Sequence, residues 1–329
     1  LHNKTLLLQQ KNLLESFIKM IAQAIDAKSP YTGAHCERVP MLTNMLAEAA
    51  CNATEGAFKD FGLTEEEKYE LHIAGWLHDC GKVATPVHIM DKSTKLETIH
   101  DRISLVRARF NLLQKDARIA LLEGRMTQSG YDARISALED DFTFVAHCNR
   151  GGEFMRDEDL QRPVRLAAEG AITEEERYHL SIRRGTLTDE ERRIMNDHMV
   201  LTCAMLEALP FPKHLRRVPE YAGGHHERMD GKGYPKGIRA GEMSIPARMM
   251  AVADVFEALT AGDRPYKPAK KLSESMQIIA QMKKHHHLDP VIVDFFITSG
   301  VYLAFARAYL PETLIDHVDE AALLAMQPE

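Results

Sequence analysis

The sequence predicts an essentially all-α protein. Apolar residues recur at helical spacing over most of its length. Three of these segments open with a Thr followed three residues later by a Glu: Thr64 with Glu67, Thr173 with Glu176, and Thr188 with Glu191. In that pattern each side chain satisfies a backbone N–H that the first helical turn leaves without a partner. No alternating run of β-branched residues is long enough to build a sheet, and the Gly/Pro clusters separate helical patterns rather than pairs of strands.

The bulk properties narrow the function classes. With 329 residues, 45% of them hydrophobic and 27% charged, the chain has the composition of a globular protein that buries a sizeable core in one large or two ordinary domains. No run approaches the roughly 18 consecutive apolar residues that span a bilayer, so no membrane segment is expected in this stretch. The sequence begins at Leu1, and the expectation is a piece of a longer protein with a sensor domain ahead of it. The five cysteines (Cys36, Cys51, Cys80, Cys148, Cys203) are scattered and odd in number, which argues against a disulfide scaffold and a thiolate zinc site. A reducing cytoplasm is the expected compartment. A net charge of −7 disfavours binding to DNA, which needs a large positive surface, but leaves room for a small anion held by local cations.

Residues 1–28 read as one amphipathic helix, with Leu7, Leu14, Ile18, Ile21 and Ile25 near heptad positions. It is either a first core helix or a signalling helix that pairs with a second copy into a homodimer. Residues 97–185 are rich in Arg, Asp and Glu, contain the turn from Cys148 to Glu153, and read as a helical insertion. Residues 316–329 read as a C-terminal tail. His285, His286 and His287 would point in three directions on a helix and read as a surface or helix-end feature.

Four places carry chemistry. His78 and Asp79 close the stretch from Leu71 to Lys82, where Leu71, Ala74, Gly75 and His78 share one helical face. A buried imidazole followed by a carboxylate offers one nitrogen and one oxygen ligand, and a carboxylate can bridge two cations. His198 falls on a stripe with Ile194, Leu201 and Met205, and alone it reads as a satisfied core histidine. His225 and His226 precede the glycine-rich run through Lys232-Gly233-Tyr234-Pro235, which suits metal ligands beside a bound anion. Asp254 lies on a helix that Ser244 caps, on one face with Ala247, Met250, Ala251 and Ala258, where a carboxylate needs a partner such as a cation. His35, near the start, is a further candidate ligand.

Taken in order, H...HD...H...HH...D, with HDCGK at 78–82 and HHERMDGKGYP at 225–235, resembles the HD-GYP family. The likeness runs from about Ile21 through Asp254 to Lys267. It implies an HD-domain helical bundle with the HD-GYP extension over 21–315, interrupted by the 97–185 insertion. It also implies metal ligands at His35, His78, Asp79, His198, His225, His226 and Asp254, with Asp79 bridging two divalent ions. A nitrogen and carboxylate donor set suits iron or manganese better than structural zinc. Lys82 is placed by the resemblance at the scissile phosphate, and Arg264 and Lys267 resemble its phosphate-contacting cations. Gly231 and Gly233 would let the backbone approach a ligand, Tyr234 would stack or hydrogen-bond, and Pro235 would fix the turn.

The activity implied is hydrolysis of cyclic di-GMP to pGpG or GMP, with a bridging hydroxide between the ions attacking in line. Hydrolysis of cyclic GMP-AMP is the alternative, as is a sensor that binds a cyclic dinucleotide without turnover. A nucleotide phosphohydrolase of the wider HD class would share H...HD...D but not the His225-His226 pair or the GYP loop. Some similar sequences carry a Glu four residues before the first His, where it helps hold a third metal. Tyr31 stands there in this chain, so two ions are expected.

Overall fold

A computed structural model describes residues 2–29, 35–151, 155–261 and 269–329, with the side chains of residues 2–4, 7 and 8 excepted. Among the described residues the chain is helical throughout, with an isolated bridge between Glu97 and Asp101 in place of any sheet. In chain order the helices are α1 (His2–Asp26), α2 (His35–Cys51), α3 (Glu65–Leu77), α4 (Val87–Met90), α5 (Ile103–Leu122), α6 (Gln128–Asn149), α7 (Gln161–Ala168) and α8 (Glu174–Leu180). They continue as α9 (Asp189–Glu207), α10 (Val218–Gly223), α11 (Ile245–Thr260), α12 (Leu272–Lys284), α13 (Pro290–Thr298), α14 (Val301–Tyr309) and α15 (Glu320–Ala325). All three Thr/Glu pairs form reciprocal caps at the starts of α3, α8 and α9.

The chain divides into two compact units, Leu1–Thr85 with Asn196–Glu329, and Pro86–Met195. In the first, α11 is the central element. Met249, Met250, Val252, Ala253 and Phe256 are all excluded from solvent, so this helix is apolar nearly all round. α2 packs against both α3 and α11, and Pro40 of α2 lies close against Gly75 of α3. A Cβ on Gly75 would lie 2.9 Å from the Cα of Pro40, so only glycine lets the helices meet there. α12 to α15 complete the core, with Phe256 edge-on to Phe296 at 5.1 Å and to Phe305 at 6.0 Å. Residues 316–329 pack back on this unit: Leu323 is buried, and its carbonyl accepts from the fully buried Lys283, whose ammonium also pairs with Asp294 at 2.8 Å.

α1 splits its apolar residues between two faces. Ile18, Ala22 and Ile25 are buried, whereas Leu14 and Ile21 are exposed together with Leu13, Phe17 and Met20. The heptad positions therefore do not form one seam, and the side chain of Leu7 lies outside the described residues.

The second unit has its own core, in which α5 and α6 pack through Val106, Phe110, Leu138 and Val145. It reaches from Pro86 to Met195, beyond both ends of the charge-rich 97–185 segment, because its flanks are tied to each other. The buried Lys92 ammonium pairs with Glu191 at 2.7 Å, and that of Lys95 donates to the Ile182 carbonyl at 2.6 Å. The side chain of Asn149 joins the Leu96 amide to the Asp101 carboxylate, while Gly152 and Glu153 of the expected turn lie outside the described residues.

Replacing Phe256 with Ala removes the ring that α13 and α14 share with α11. The expected loss is about 3–5 kcal/mol of unfolding free energy, read from the midpoint of a urea titration at unchanged slope.

Candidate metal centre

Seven side chains from α2, α3, α9, α10 and α11 converge in the first unit. His35 opens α2, His78 caps α3, Asp79 follows it, and His198 lies in α9; His225 and His226 follow α10, and Asp254 lies mid-way along α11. The Asp79 carboxylate is their centre. Its Oδ2 lies 3.2 Å from His78 Nε2 and 3.3 Å from His35 Nε2. Its Oδ1 lies 3.3 Å from His198 Nε2 and 3.9 Å from His225 Nε2. Asp254 Oδ1 joins the first group, 3.3 Å from His35 Nε2 and 3.7 Å from His78 Nε2. The ligand atoms of Asp79, His198, His225 and His226 all lie within 4.8 Å of one another, and so do those of His35, His78 and Asp79. Asp79 thus belongs to two groups at once, through a different oxygen in each.

The imidazoles are turned the same way by what lies behind them. His78 Nδ1 is 2.6 Å from the Gly75 carbonyl, and His225 Nδ1 is 2.6 Å from the Ala222 carbonyl. A carbonyl only accepts, so each Nδ1 carries the proton and each Nε2 presents a lone pair to the centre. Behind His35 stands the Glu257 carboxylate, 2.5 Å from Nδ1 and fully buried, with Arg38 on its other oxygen at 3.2 Å.

Burial, reinforced by neighbouring imidazoles, pushes His225 down to about 4 and His226 well below the usual histidine range, so both are neutral at pH 7. His35 is opposite: burial acts to lower it, but the carboxylates of Asp254, Asp79 and Glu257 outweigh burial and hold it well above that range. Burial acts to raise Asp79 and Asp254, yet the Lys82 ammonium holds the first ionised and the hydrogen bond from His35 the second. Burial raises Cys80 to about 11 and holds Cys36 well above the usual thiol range, so these adjacent thiols stay protonated and the donor set is nitrogen and carboxylate oxygen. Asp79 Oδ1 and His225 Nε2 are buried and, among the described residues, make no hydrogen bond. Two orphaned acceptors facing each other fit a cation between them.

Two glycines have jobs that the sequence reading did not assign. A Cβ on Gly81 would lie 2.0 Å from the His198 carbonyl, and the Gly81 amide donates to Thr202 Oγ1 at 2.9 Å. The turn Cys80–Ala84 therefore rests directly on α9, which brings His198 to Asp79. Gly233, read as a place for close ligand approach, turns its bare side to its own chain, since a Cβ there would lie 2.4 Å from the Glu227 Cα. The Tyr234 ring is stacked on His226 at 4.7 Å, and the Tyr234–Pro235 peptide is cis. The Lys82 ammonium pairs with Asp79 Oδ2 at 2.5 Å. Arg264, Lys267 and Tyr31 lie outside the described residues.

The stripe drawn through His198 needs correction. Ile194 and Met205 are exposed, and α9 buries Met199, Thr202, Cys203 and Leu206 instead. The buried face is rotated by roughly a quarter turn, leaving His198 at its edge, aimed into the metal centre. His285 to His287 follow α12 as a helix end, with the His286 carbonyl accepting from Asp230.

The sequence reading missed Glu257 and Glu227. Glu257 stands three residues after Asp254 on an apolar helix, a spacing that places both on one face and is a usable signal. Buried Glu227 accepts from the amides of Lys236, Gly237 and Ile238 at 2.7, 3.1 and 3.1 Å, so it closes the glycine-rich loop behind His226. Backbone amides leave no mark in a sequence.

The family model described as HD domain matches residues 158–292. That stretch holds His198, His225, His226, Asp254 and the loop between them. Together with the relatives, this match supports a protein of the HD superfamily, of the HD-GYP type. His35, His78 and Asp79 lie outside the matched stretch of the HD domain, and the fold supplies them. The chain is 26% identical over 277 residues to a 3'3'-cGAMP-specific phosphodiesterase of Vibrio cholerae, covering 84% of this chain and 37% of the relative. It is 36% identical over 125 residues to a cyclic di-GMP phosphodiesterase of Pseudomonas aeruginosa, covering 36% of this chain and 28% of the relative. A cyclic di-GMP phosphodiesterase of Thermotoga maritima is 36% identical over 116 residues, with 35% of this chain and 31% of the relative covered. The chain spans about two fifths of the length of the cGAMP-specific relatives.

Glu257→Gln keeps the shape behind His35 but removes the charge, and is expected to weaken metal binding about 10–100-fold by competition with a chromophoric chelator. Gly81→Ala, which meets a backbone carbonyl that cannot move aside, is expected to destabilise the first unit by about 1–3 kcal/mol and to lower metal content, measured by denaturation and elemental analysis.

Proposed function

We propose that this chain is a metal-dependent phosphodiesterase that hydrolyses cyclic di-GMP to pGpG or GMP, with His35, His78, Asp79, His198, His225, His226 and Asp254 holding two divalent ions, iron or manganese. One observation carries the reading: the two oxygens of the buried Asp79 carboxylate face two separate groups of histidine nitrogens. Bound ions there supply Lewis acidity, polarising a phosphodiester and lowering the pKa of water.

The protein's own groups do the rest. His225 and His226 stay neutral, so protons do not compete for Nε2 at pH 7. Burial acts against the charge on Lys82, but Asp79 outweighs it and raises its pKa, so Lys82 is a permanent cation beside the centre. There it would offset charge developing on the phosphate oxygens. Tyr234, flanked by Gly233 and Pro235, stands against His226 and would present its ring to a base or ribose. Arg264 and Lys267 are assigned to phosphate by the family resemblance.

A second reading, cyclic GMP-AMP as substrate, is favoured by one finding: the relatives that align over 84% to 94% of this chain are named for that substrate. We further infer a cytoplasmic output domain of a larger signalling protein, with the catalytic domain at 21–315, the insertion at 97–185, and α1 as the connection to a sensor. The exposed Leu13, Phe17 and Met20 support pairing of α1 with a second copy in a homodimer.

The test is anaerobic purification, separate loading with iron(II) or manganese(II), and chromatography of cyclic di-GMP and cyclic GMP-AMP reactions. Turnover is expected, and Asp79→Ala should lose on the order of 1,000-fold, the several kcal/mol that Lewis-acid stabilisation supplies. Binding without turnover in every metal state would replace the enzyme by a sensor. Elemental analysis is expected to find two ions per folded chain, and three would refute the ligand assignment.

A further inference from the structure

We propose that Lys28 is a positioning residue for the phosphodiesterase reaction: its ammonium fastens the turn that carries Lys82 and so sets where the Lys82 side chain can reach. This rests on the reading of Lys82 given above. Lys28 follows the C-terminus of α1, and its Nζ donates to three backbone carbonyls, those of Lys82 at 3.2 Å, Val83 at 2.5 Å and Thr85 at 2.6 Å. An ammonium has three donors on one atom, and here all three are engaged by one short segment more than fifty residues away.

The geometry explains why a cation is needed. Cys80–Ala84 is a short 3-10 helix, and the last carbonyls of so short a helix have few donors within it. One of them, Lys82 O, accepts from the Thr85 amide at 3.1 Å. The three carbonyls nevertheless converge on a single point, which concentrates negative potential at the C-terminal end of the turn. Lys28 fills that point. At the other end the Lys82 amide donates to the Asp79 carbonyl at 2.9 Å, and the Gly81 amide to Thr202. The turn is thus held by Asp79 and α9 before Lys82, and by Lys28 after it.

Among the described residues the hydrogen bonds of the Lys28 ammonium go to the turn and not to the histidines or Asp79, so it acts through the Lys82 turn. A second link runs the same way: the Asp26 carboxylate, at the end of α1, accepts from the Cys36 amide at 3.4 Å, one residue after His35. Other contacts of α1 also fall on the strut behind the centre, with Lys11 over the Tyr69 ring at 3.9 Å and Lys19 over the Trp76 ring at 5.6 Å, both on α3. The last turn of α1 is therefore bonded to the two segments that begin the metal centre, and the rest of the helix lies along the third.

The experiment compares metal-loaded wild type, Lys28→Met and Lys28→Ala in the full chain. It measures kcat and KM on cyclic di-GMP, metal content, melting temperature, and amide hydrogen exchange at residues 82–85. In both variants we expect kcat to fall about 10-fold with KM and metal content unchanged, since a misplacement of about 1 Å can cost up to 100-fold. Exchange at 82–85 should quicken at least about 10-fold as the turn opens locally. Propylammonium, which can enter the space left by Lys28→Ala and offer a cation to the same carbonyls, should restore part of kcat, while propanol should not. A kcat within about twofold of wild type, or a loss that follows metal content or melting temperature, overturns the proposal. Should the wild type turn over no cyclic dinucleotide, the phosphodiesterase reading fails by itself. The exchange measurement then still decides whether Lys28 holds the turn, and unchanged exchange refutes it.

Discussion

A carboxylate buried at the centre of five imidazoles governs the first unit. Asp79 is 2% exposed, and taking an ionised carboxylate out of water costs several kcal/mol unless positive charge surrounds it. Lys82 supplies one charge on one oxygen, and the protonated His35 supplies a second. The other oxygen faces His198 and His225, and His225 is neutral. Cations held between the histidine groups would resolve this imbalance. The Nε2 lone pairs of His78 and His225 are aimed at the places where those charges are required, because backbone carbonyls hold the opposite ring edges.

The packing around the centre follows from the need to bring five elements to one point. Helices meet this closely only where side chains are absent, which accounts for Gly75 against Pro40 and Gly81 against the His198 carbonyl. α11 can lie at the middle because it is apolar on nearly every side. Its two buried acids, Asp254 and Glu257, both face His35 and are matched by it. The glycine-rich loop is closed by Glu227, so His226 and the Tyr234 ring stacked on it are set by a carboxylate that accepts from the amides of Lys236, Gly237 and Ile238. Precision at the centre comes from groups one layer out.

The second unit follows the opposite design. Its charged residues pair with one another, as in Arg162 and Arg165 around the buried Asp141 and in Arg109 on Glu176, and its small core lies between α5 and α6. The abundance of Arg, Asp and Glu that sets this stretch apart in the sequence is explained by these internal pairs. They tie α6 to α7 and α5 to α8 within the unit.

By itself the sequence determined the helical class and the three capping boxes, because these depend on spacing along the chain, while the seven candidate ligands came from the resemblance carried by HDCGK and HHERMDGKGYP. The periodicity around His198 pointed to a buried helix but placed its face about a quarter turn away, since a histidine aimed at a polar centre sits where an apolar stripe ends. Only the tertiary structure joined His35, His78 and Asp79 to residues more than a hundred positions later. It alone assigned one Asp79 oxygen to each histidine group. Glu257 and Glu227 were hidden for the same reason: one is matched by a histidine from the far end of the chain, the other by backbone amides common to every residue. Which atoms face each other is settled by packing, and packing depends on the whole chain at once.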